Sequence, residues 1–262
     1  MNVPENLLKT KLLAGHQCFG IWMHTASPEV AELLAAVGLD FVIIDQEHGP
    51  GDLREIVAAM QAIEGSGTTA MVRVPSSDPI YLKRIVDAGA NAILMPMVDT
   101  ADEARVVVDA CLYPPRGERG NAASVVRASR YGLVGDCLER ASEQMLIVPQ
   151  VETVEAVRNA AEVAAVPGVD AVFVGPSDLS GSAGLPGQTS APEVEALIRS
   201  AFASIVGAGK PVATVPRGGR TWARLFDDGF QMVVKGGDIA FVRQGALSQA
   251  REWAERATKE PA

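Results

Sequence analysis

Four carboxylates, an arginine and a histidine in this chain stand where apolar runs stop. Phe41-Val42-Ile43-Ile44 ends in Asp45-Gln46-Glu47-His48, and Ala70-Met71-Val72 runs into Arg73. Met145-Leu146-Ile147-Val148-Pro149 leads to Gln150 and Glu152, and Ala171-Val172-Phe173-Val174 leads through Gly175-Pro176-Ser177 to Asp178. Buried charge is costly unless it is paired or bound to a metal, so polar groups ending four separate runs point to one assembled site. Glu152 and Asp178 can converge on a hard cation, and two carboxylates with the remaining positions left to water and substrate suit Mg²⁺ or Mn²⁺. Arg73 offers a fixed charge and a planar fork to an anion or an enolate oxygen. His48 follows two acids able to orient it, which makes it a candidate general acid and base. The N–H groups of the turn into Ser177 and Asp178 can hold a carboxylate or phosphate.

Plainer assignments compete with each of these. Asp45–His48 also reads as a polar loop turning on Gly49-Pro50-Gly51, each acid as a helix cap, and Arg73 as the partner of Asp45 or Glu47. His16 reads as a surface residue, and His24 ends the first run and could line the mouth, with nothing near it in sequence to mark a role. No Gly-x-Ser-x-Gly elbow is present for nucleophilic serine chemistry.

The elements that must position these groups alternate from end to end. Strand-like runs are predicted at Phe19–Met23, Phe41–Asp45, Ala70–Val74, Ala92–Met95, Met145–Val151, Ala171–Gly175, Pro211–Val215 and Gln231–Lys235. Amphipathic helices are predicted at Ser27–Val37, Asp52–Ile63, Asp78–Ala88, Thr100–Cys111, Thr153–Val163, Pro192–Val206, Gly219–Asp227 and Asp238–Thr258. Ser27-Pro28, Asp78-Pro79 and Thr153-Val154-Glu155 supply helix starts, and Gly38, Gly89 and Gly168 suit left-handed helix ends. Eight such units in this length predict an α/β fold, a (β/α)8 TIM barrel filling residues 1–262 as one domain. A doubly wound open sheet is the alternative, but no Gly-x-Gly-x-x-Gly follows the first run. One connection, from Cys111 to Met145, is long and irregular apart from a helical piece around Asp136–Ser142. Its length predicts an active-site or subunit-contact loop on the catalytic face.

The bulk properties narrow the class. A net charge of −9 without a basic run argues against nucleic acid. No segment approaches the roughly 18 uninterrupted apolar residues of a membrane helix, and the first residues lack an export pattern. Cys18, Cys111 and Cys137 are odd in number and widely spaced, as expected for reduced thiols in a cytoplasmic protein.

With those residues placed, the chain resembles the metal-dependent pyruvate aldolases of the HpcH/HpaI aldolase and citrate lyase family from about Gly20 to Asp238. The resemblance rests on Ile44-Asp45-Gln46-Glu47-His48, Val72-Arg73-Val74, Val86-Asp87-Ala88-Gly89, Met95-Pro96-Met97, Tyr113-Pro114-Pro115-Arg116-Gly117, Gln150-Val151-Glu152-Thr153 and Gly175-Pro176-Ser177-Asp178-Leu179. It implies cleavage of 4-hydroxy-2-oxo acids to pyruvate and an aldehyde, with Glu152 and Asp178 holding a divalent metal such as Mg²⁺, Mn²⁺ or Co²⁺. It further implies Gln150, Ser177 and Asp178 near pyruvate, Arg73 on the enolate oxygen, and His48 on the C4 hydroxyl proton. Asp87, with Asp45 as a second candidate, would orient His48. Trp22 on the first strand completes the expected substrate-binding set. Hexamers in which the last helix packs on a neighbouring barrel are implied as well, and that helix carries Val242, Ala246, Ala250, Trp253 and Ala257 in a stripe of helical period.

One feature departs from the family pattern: Lys235 ends the eighth strand, and a desolvated lysine in a barrel mouth is what a Schiff-base aldolase needs. Other readings of the same residues are oxaloacetate decarboxylation, synthase chemistry on a pyruvate enolate, and a non-catalytic barrel that binds a 2-oxo acid. His48 favours turnover, because a binder needs no proton shuttle.

Overall fold

Eight apolar runs become eight parallel strands joined in sequence order into a closed barrel, in a computed structural model that describes residues 1–257. Helix α1 (Leu7–Leu13) precedes the barrel; β1 (Cys18–Met23) leads to α2 (Pro28–Ala36), β2 (Phe41–Asp45) to α3 (Leu53–Ile63), and β3 (Thr69–Arg73) to α4 (Pro79–Asp87). Strand β4 (Ala92–Met95) is followed by α5 (Ala101–Cys111) and α6 (Cys137–Gln144), and β5 (Leu146–Val151) by α7 (Val154–Arg158) and α8 (Ala160–Ala165). Then come β6 (Val172–Val174) with α9 (Pro176–Ser182) and α10 (Pro192–Gly207), β7 (Val212–Thr214) with α11 (Trp222–Asp227), and β8 (Met232–Gly237) with α12 (Asp238–Ala257). Among the described residues no helix is long and apolar enough to cross a membrane.

Side-chain alternation sorts the core into two layers. Phe41, Ile43, Met71, Leu94, Val148, Phe173, Met232 and Val234 fill the barrel interior, while Val42, Ile44, Val72, Val151 and Val233 pack outward against the helices. Gly20 makes room for the Phe41 ring, which a Cβ there would meet at 2.4 Å. Continued past the apolar residues, the inward series reaches Asp45, Arg73, Gln150 and Glu152. The same pleat that buries the core therefore aims these four groups into the mouth. Cα register pairs Asp45 directly with Arg73 across β2 and β3.

Local signals act as expected at most helix starts. Ser27, Asp78 and Thr153 accept a backbone N–H within their helices, and Asp52 with Glu55 and Thr100 with Glu103 form capping boxes. Gly38, Gly89 and Gly168 take φ of +81°, +109° and +101°, the left-handed ends that lead into the next strand. The helix expected over Thr153–Val163 divides at Asn159, whose side chain donates to the Asp99 carbonyl. Helix α1 was not anticipated; Asn6 caps it, and Leu8 and Leu12 plug the N-terminal end of the barrel interior. The end of the last expected helix, Thr258, lies outside the described residues.

The connection after α5 does not lie on the catalytic face. Helices run antiparallel to the strands, so a segment leaving α5 starts at the N-terminal end of the barrel. Arg127 there donates to the Ala88 carbonyl at the end of α4, and Arg119 pairs with Asp87. Together with Asn6, Asn91 and Gln144 these arginines border a cavity of about 470 Å³ at that end. Their charges are already matched, Arg119 by Asp87 and Arg127 by Glu64.

Candidate active site

Asp45 and Arg73 form the buried hinge of the mouth. Arg73 donates from Nε to Asp45 Oδ1 at 2.8 Å and from Nη2 to Oδ2 at 2.7 Å, and its Nη1 lies 2.9 Å from Glu47 Oε2. Both plainer pairings of Arg73 therefore occur together, yet each terminal nitrogen still has an N–H to offer. Asp45 Oδ1 also accepts the backbone N–H groups of Glu47 and His48, which fixes the loop that follows. Burial disfavours the Asp45 carboxylate, but the Arg73 bonds and charge and these two N–H groups hold it below the usual range. Glu47 goes the other way: its burial outweighs the Arg73 and His48 charges and raises its pKa. Gln46 turns out of the mouth and accepts the Tyr81 hydroxyl, locking the loop to α4.

Across the barrel, β5 delivers Gln150 and Glu152. Glu152 Oε1 accepts the Met97 N–H at 2.8 Å, and Oε2 accepts Gln150 Nε2 at 2.7 Å. Burial, with smaller contributions from the negative charges of Asp178 and Glu47, pushes the Glu152 carboxyl up to about 7. Gly175, just past the next strand, is a tight fit beside it, since a Cβ there would come within 2.5 Å of Glu152 Oε2. Gln150 Oε1 is buried without a hydrogen-bond partner. Ser177 and Asp178 are exposed on the first turn of α9, a helix that no side chain caps. Among the described residues no group of three metal-binding side chains occurs. The pair of Glu152 and Asp178 still fits a divalent cation, because a carboxylate forced towards its protonated form by burial, and further by neighbouring acids, is stabilised by positive charge.

Trp22 forms the floor between these halves. Its ring lies 4.4 Å from the Arg73 guanidinium carbon and meets Phe173 of β6 edge-on at 6.2 Å. His48 stands at the rim, its side chain 63% exposed and its Nε2 3.9 Å from Glu47 Oε2.

Two expectations about orientation are corrected. Asp87 ends α4 at the far end of the barrel and binds Arg119 at 2.6 Å, so within one chain it does not orient His48. Asp45 spends its oxygens on Arg73 and backbone N–H groups rather than on the His48 ring. Lys235 is exposed and follows inward-facing Val234, so alternation turns it away from the barrel interior. The first-strand histidine, left without a role by the sequence, lies in the mouth: His24 stands between Asp45 and Asp238. Asp238 is itself buried and accepts the backbone N–H groups of His24, Thr25 and Ile239 and the Thr25 hydroxyl. The inward series Gly20, Trp22, His24 aims this histidine into the mouth.

The chain matches the family model described as HpcH/HpaI aldolase/citrate lyase over residues 18–243. It is 40% identical to a hydroxypyruvate/pyruvate aldolase of Sagittula stellata, covering 97% of this chain and 100% of that protein. It is 39% identical to a 4-hydroxy-2-oxovalerate aldolase of Novosphingobium aromaticivorans, covering 98% of this chain and 97% of the other. A crystal structure of a HpcH/HpaI aldolase/citrate lyase family protein from Burkholderia cenocepacia superposes with a TM-score of 0.90 at 32% identity, covering 95% of this chain and 99% of that one.

Proposed function

The chain belongs to the HpcH/HpaI aldolase/citrate lyase family, and from that premise we propose that Glu152, Asp178, Arg73 and His48 are the working groups of a pyruvate aldolase. The protein is a carbon–carbon lyase that cleaves 4-hydroxy-2-oxo acids to pyruvate and an aldehyde. The observation that carries the residue assignment is Glu152, a buried acid pushed to about 7, set beside Asp178 and facing Arg73. Such an acid is poor as a structural group and apt as a ligand.

In the cleavage direction a base takes the C4 hydroxyl proton, the C3–C4 bond breaks, and its electron pair moves to the C2 oxygen as an enolate. A divalent metal held by Glu152 and Asp178, when bound, supplies a Lewis acid for that electron pair. Arg73 directs its spare N–H groups to the developing oxyanion and is kept aligned by Asp45, Glu47 and the Trp22 face. Gln150 and the Ser177–Asp178 backbone hold the 2-oxo acid carboxylate end, with Trp22 beneath. His48 takes the C4 proton, since its exposed ring can reach a substrate entering from solvent. Asp87 would reach that ring only from a neighbouring copy, as it is at the other end of its own barrel. A homo-oligomer, in the hexameric form the family resemblance implies, also accounts for α12. That helix exposes Val242, Leu247 and Trp253 instead of packing them on its own barrel. A cytoplasmic location fits three free, buried cysteines.

The test is chelation. Exhaustive treatment with a chelator should abolish cleavage, and Mn²⁺, Co²⁺ or Mg²⁺ should restore it. Full activity in a metal-free preparation would remove Glu152 and Asp178 from the mechanism.

A further inference from the structure

His24 has no part in the reaction just described, yet it is built into the mouth. Its side chain is 36% exposed, with Nε2 3.7 Å from Asp45 Oδ2 and Nδ1 3.4 Å from Asp238 Oδ1. Neither contact is a hydrogen bond. Asp45 Oδ2 is taken by Arg73 Nη2, Asp238 Oδ1 by the N–H groups of His24 and Ile239, and Nδ1 is buried without a partner. The imidazole is held in place all the same. Its plane is tilted 32° to the Trp22 ring at 6.1 Å between centroids, and its own backbone is tied to Asp238. An imidazole fixed by packing and left with unused hydrogen-bonding capacity beside the oxyanion arginine is placed to read a substrate group.

We propose that His24 is a specificity residue for the aldehyde half of the substrate. It hydrogen-bonds a hydroxyl on the carbon next to the aldehyde, so the enzyme prefers hydroxyaldehydes over alkyl aldehydes of the same size. The geometry favours this half of the substrate. Glu152, Gln150 and Asp178 hold the oxo acid on β5 and α9, whereas His24 stands one inward step beyond Trp22, on the β1 and β8 side of the mouth. A site that offers a polar partner discriminates against an isostere lacking the hydroxyl, since its own polar group is then unpaired.

The inference rests on the aldolase reading, and the experiment separates the two. Condensation of pyruvate with glycolaldehyde and with propanal, its isostere, is measured alongside pyruvate proton exchange in D₂O. In His24→Phe, which keeps a ring on Trp22, the kcat/KM ratio for glycolaldehyde over propanal should fall about three- to tenfold. The loss should lie mainly in KM, and exchange should lose less than the glycolaldehyde reaction. His24→Gln, with an amide nitrogen near the place of Nε2, should recover part of the ratio. An unchanged ratio, or equal losses on both aldehydes, overturns the proposal. Exchange lost as fully as condensation also overturns it, by moving His24 to the enolate side. A wild-type protein that exchanges no pyruvate proton refutes the aldolase reading instead, whatever the ratio.

Discussion

Replacing Glu152 by glutamine should make the metal-free protein more stable above neutral pH, although it removes a proposed metal ligand. The carboxyl is raised from 4.5 to about 7, with burial the chief cause. A raised acid contributes stability below its unfolded-state pKa and loses that contribution as pH rises through the folded-state value. At about 1.4 kcal/mol per pH unit, deprotonation of Glu152 costs the apo protein about 3 kcal/mol by pH 8 and almost nothing at pH 4.5. The amide introduced by Glu152→Gln mimics the protonated acid: it can accept from the Met97 N–H and donate to Gln150 Oε1, the buried acceptor left without a partner. Chemical denaturation in excess chelator, from pH 5 to pH 8.5, reads the effect. Wild type and variant should differ least at pH 5, and the variant should pull ahead between pH 5 and pH 7 and hold that lead above it. Mn²⁺ at about a thousand times its Kd should reverse the order, because it adds about 4.1 kcal/mol to the wild type and little to a variant that binds it poorly. Parallel stability curves across the whole pH range would show that Glu152 is not a strained acid, and the argument for its role would fail.

Arg73→Ala should depress both aldol cleavage and pyruvate proton exchange, each by about 10²–10³, because the enolate arises in both. His48→Ala should slow cleavage by roughly 10²–10⁴ and exchange far less; equal loss of exchange in the two variants would make His48 the C3 base. Borohydride added with pyruvate should leave the protein mass unchanged, and an adduct mapped to Lys235 would replace the metal mechanism with a Schiff base. Light scattering at micromolar concentration should give an oligomer; a stable monomer would reject the exchange of α12 between copies.

The parts of the site legible in the sequence were those that obey the strand period. Asp45, Arg73, Gln150 and Glu152 each follow an apolar run at an even step from an inward residue, so chemistry and direction could be inferred together. What failed was inference across the barrel. The length of the connection after α5 points it to the mouth, yet a helix returns the chain to the opposite end, where Asp87 also lies, before that connection begins. His24 went unassigned because its neighbours come from closure of the sheet: Asp238 is 214 positions away, and β1 meets β8 only when the barrel closes. Helix α1 was missed for a related reason. Seven residues are too few to show a period, and its function as a plug exists only once a barrel end needs filling.

The charge balance of the mouth gives the assembled residues an order of events. Asp45 and Glu47 pair with the guanidinium of Arg73, Glu152 lies near it, Asp178 adds its charge beside Glu47 and Glu152, and burial raises both Glu47 and Glu152. Such a site repels a 2-oxo acid anion until positive charge is added on the Glu152 side, while Asp45 and Glu47 already occupy three donors of Arg73. Metal affinity should therefore rise with pH up to about 7, as the proton leaves Glu152. Affinity for the 2-oxo acid should follow metal occupancy and have no independent acid limb in this range. Titration of pyruvate against protein saturated with Mn²⁺ at pH 6 and pH 8 distinguishes the two. Equal affinities place the pH dependence in metal loading, and a tenfold difference would mean that Glu47, the other raised acid, governs substrate entry on its own.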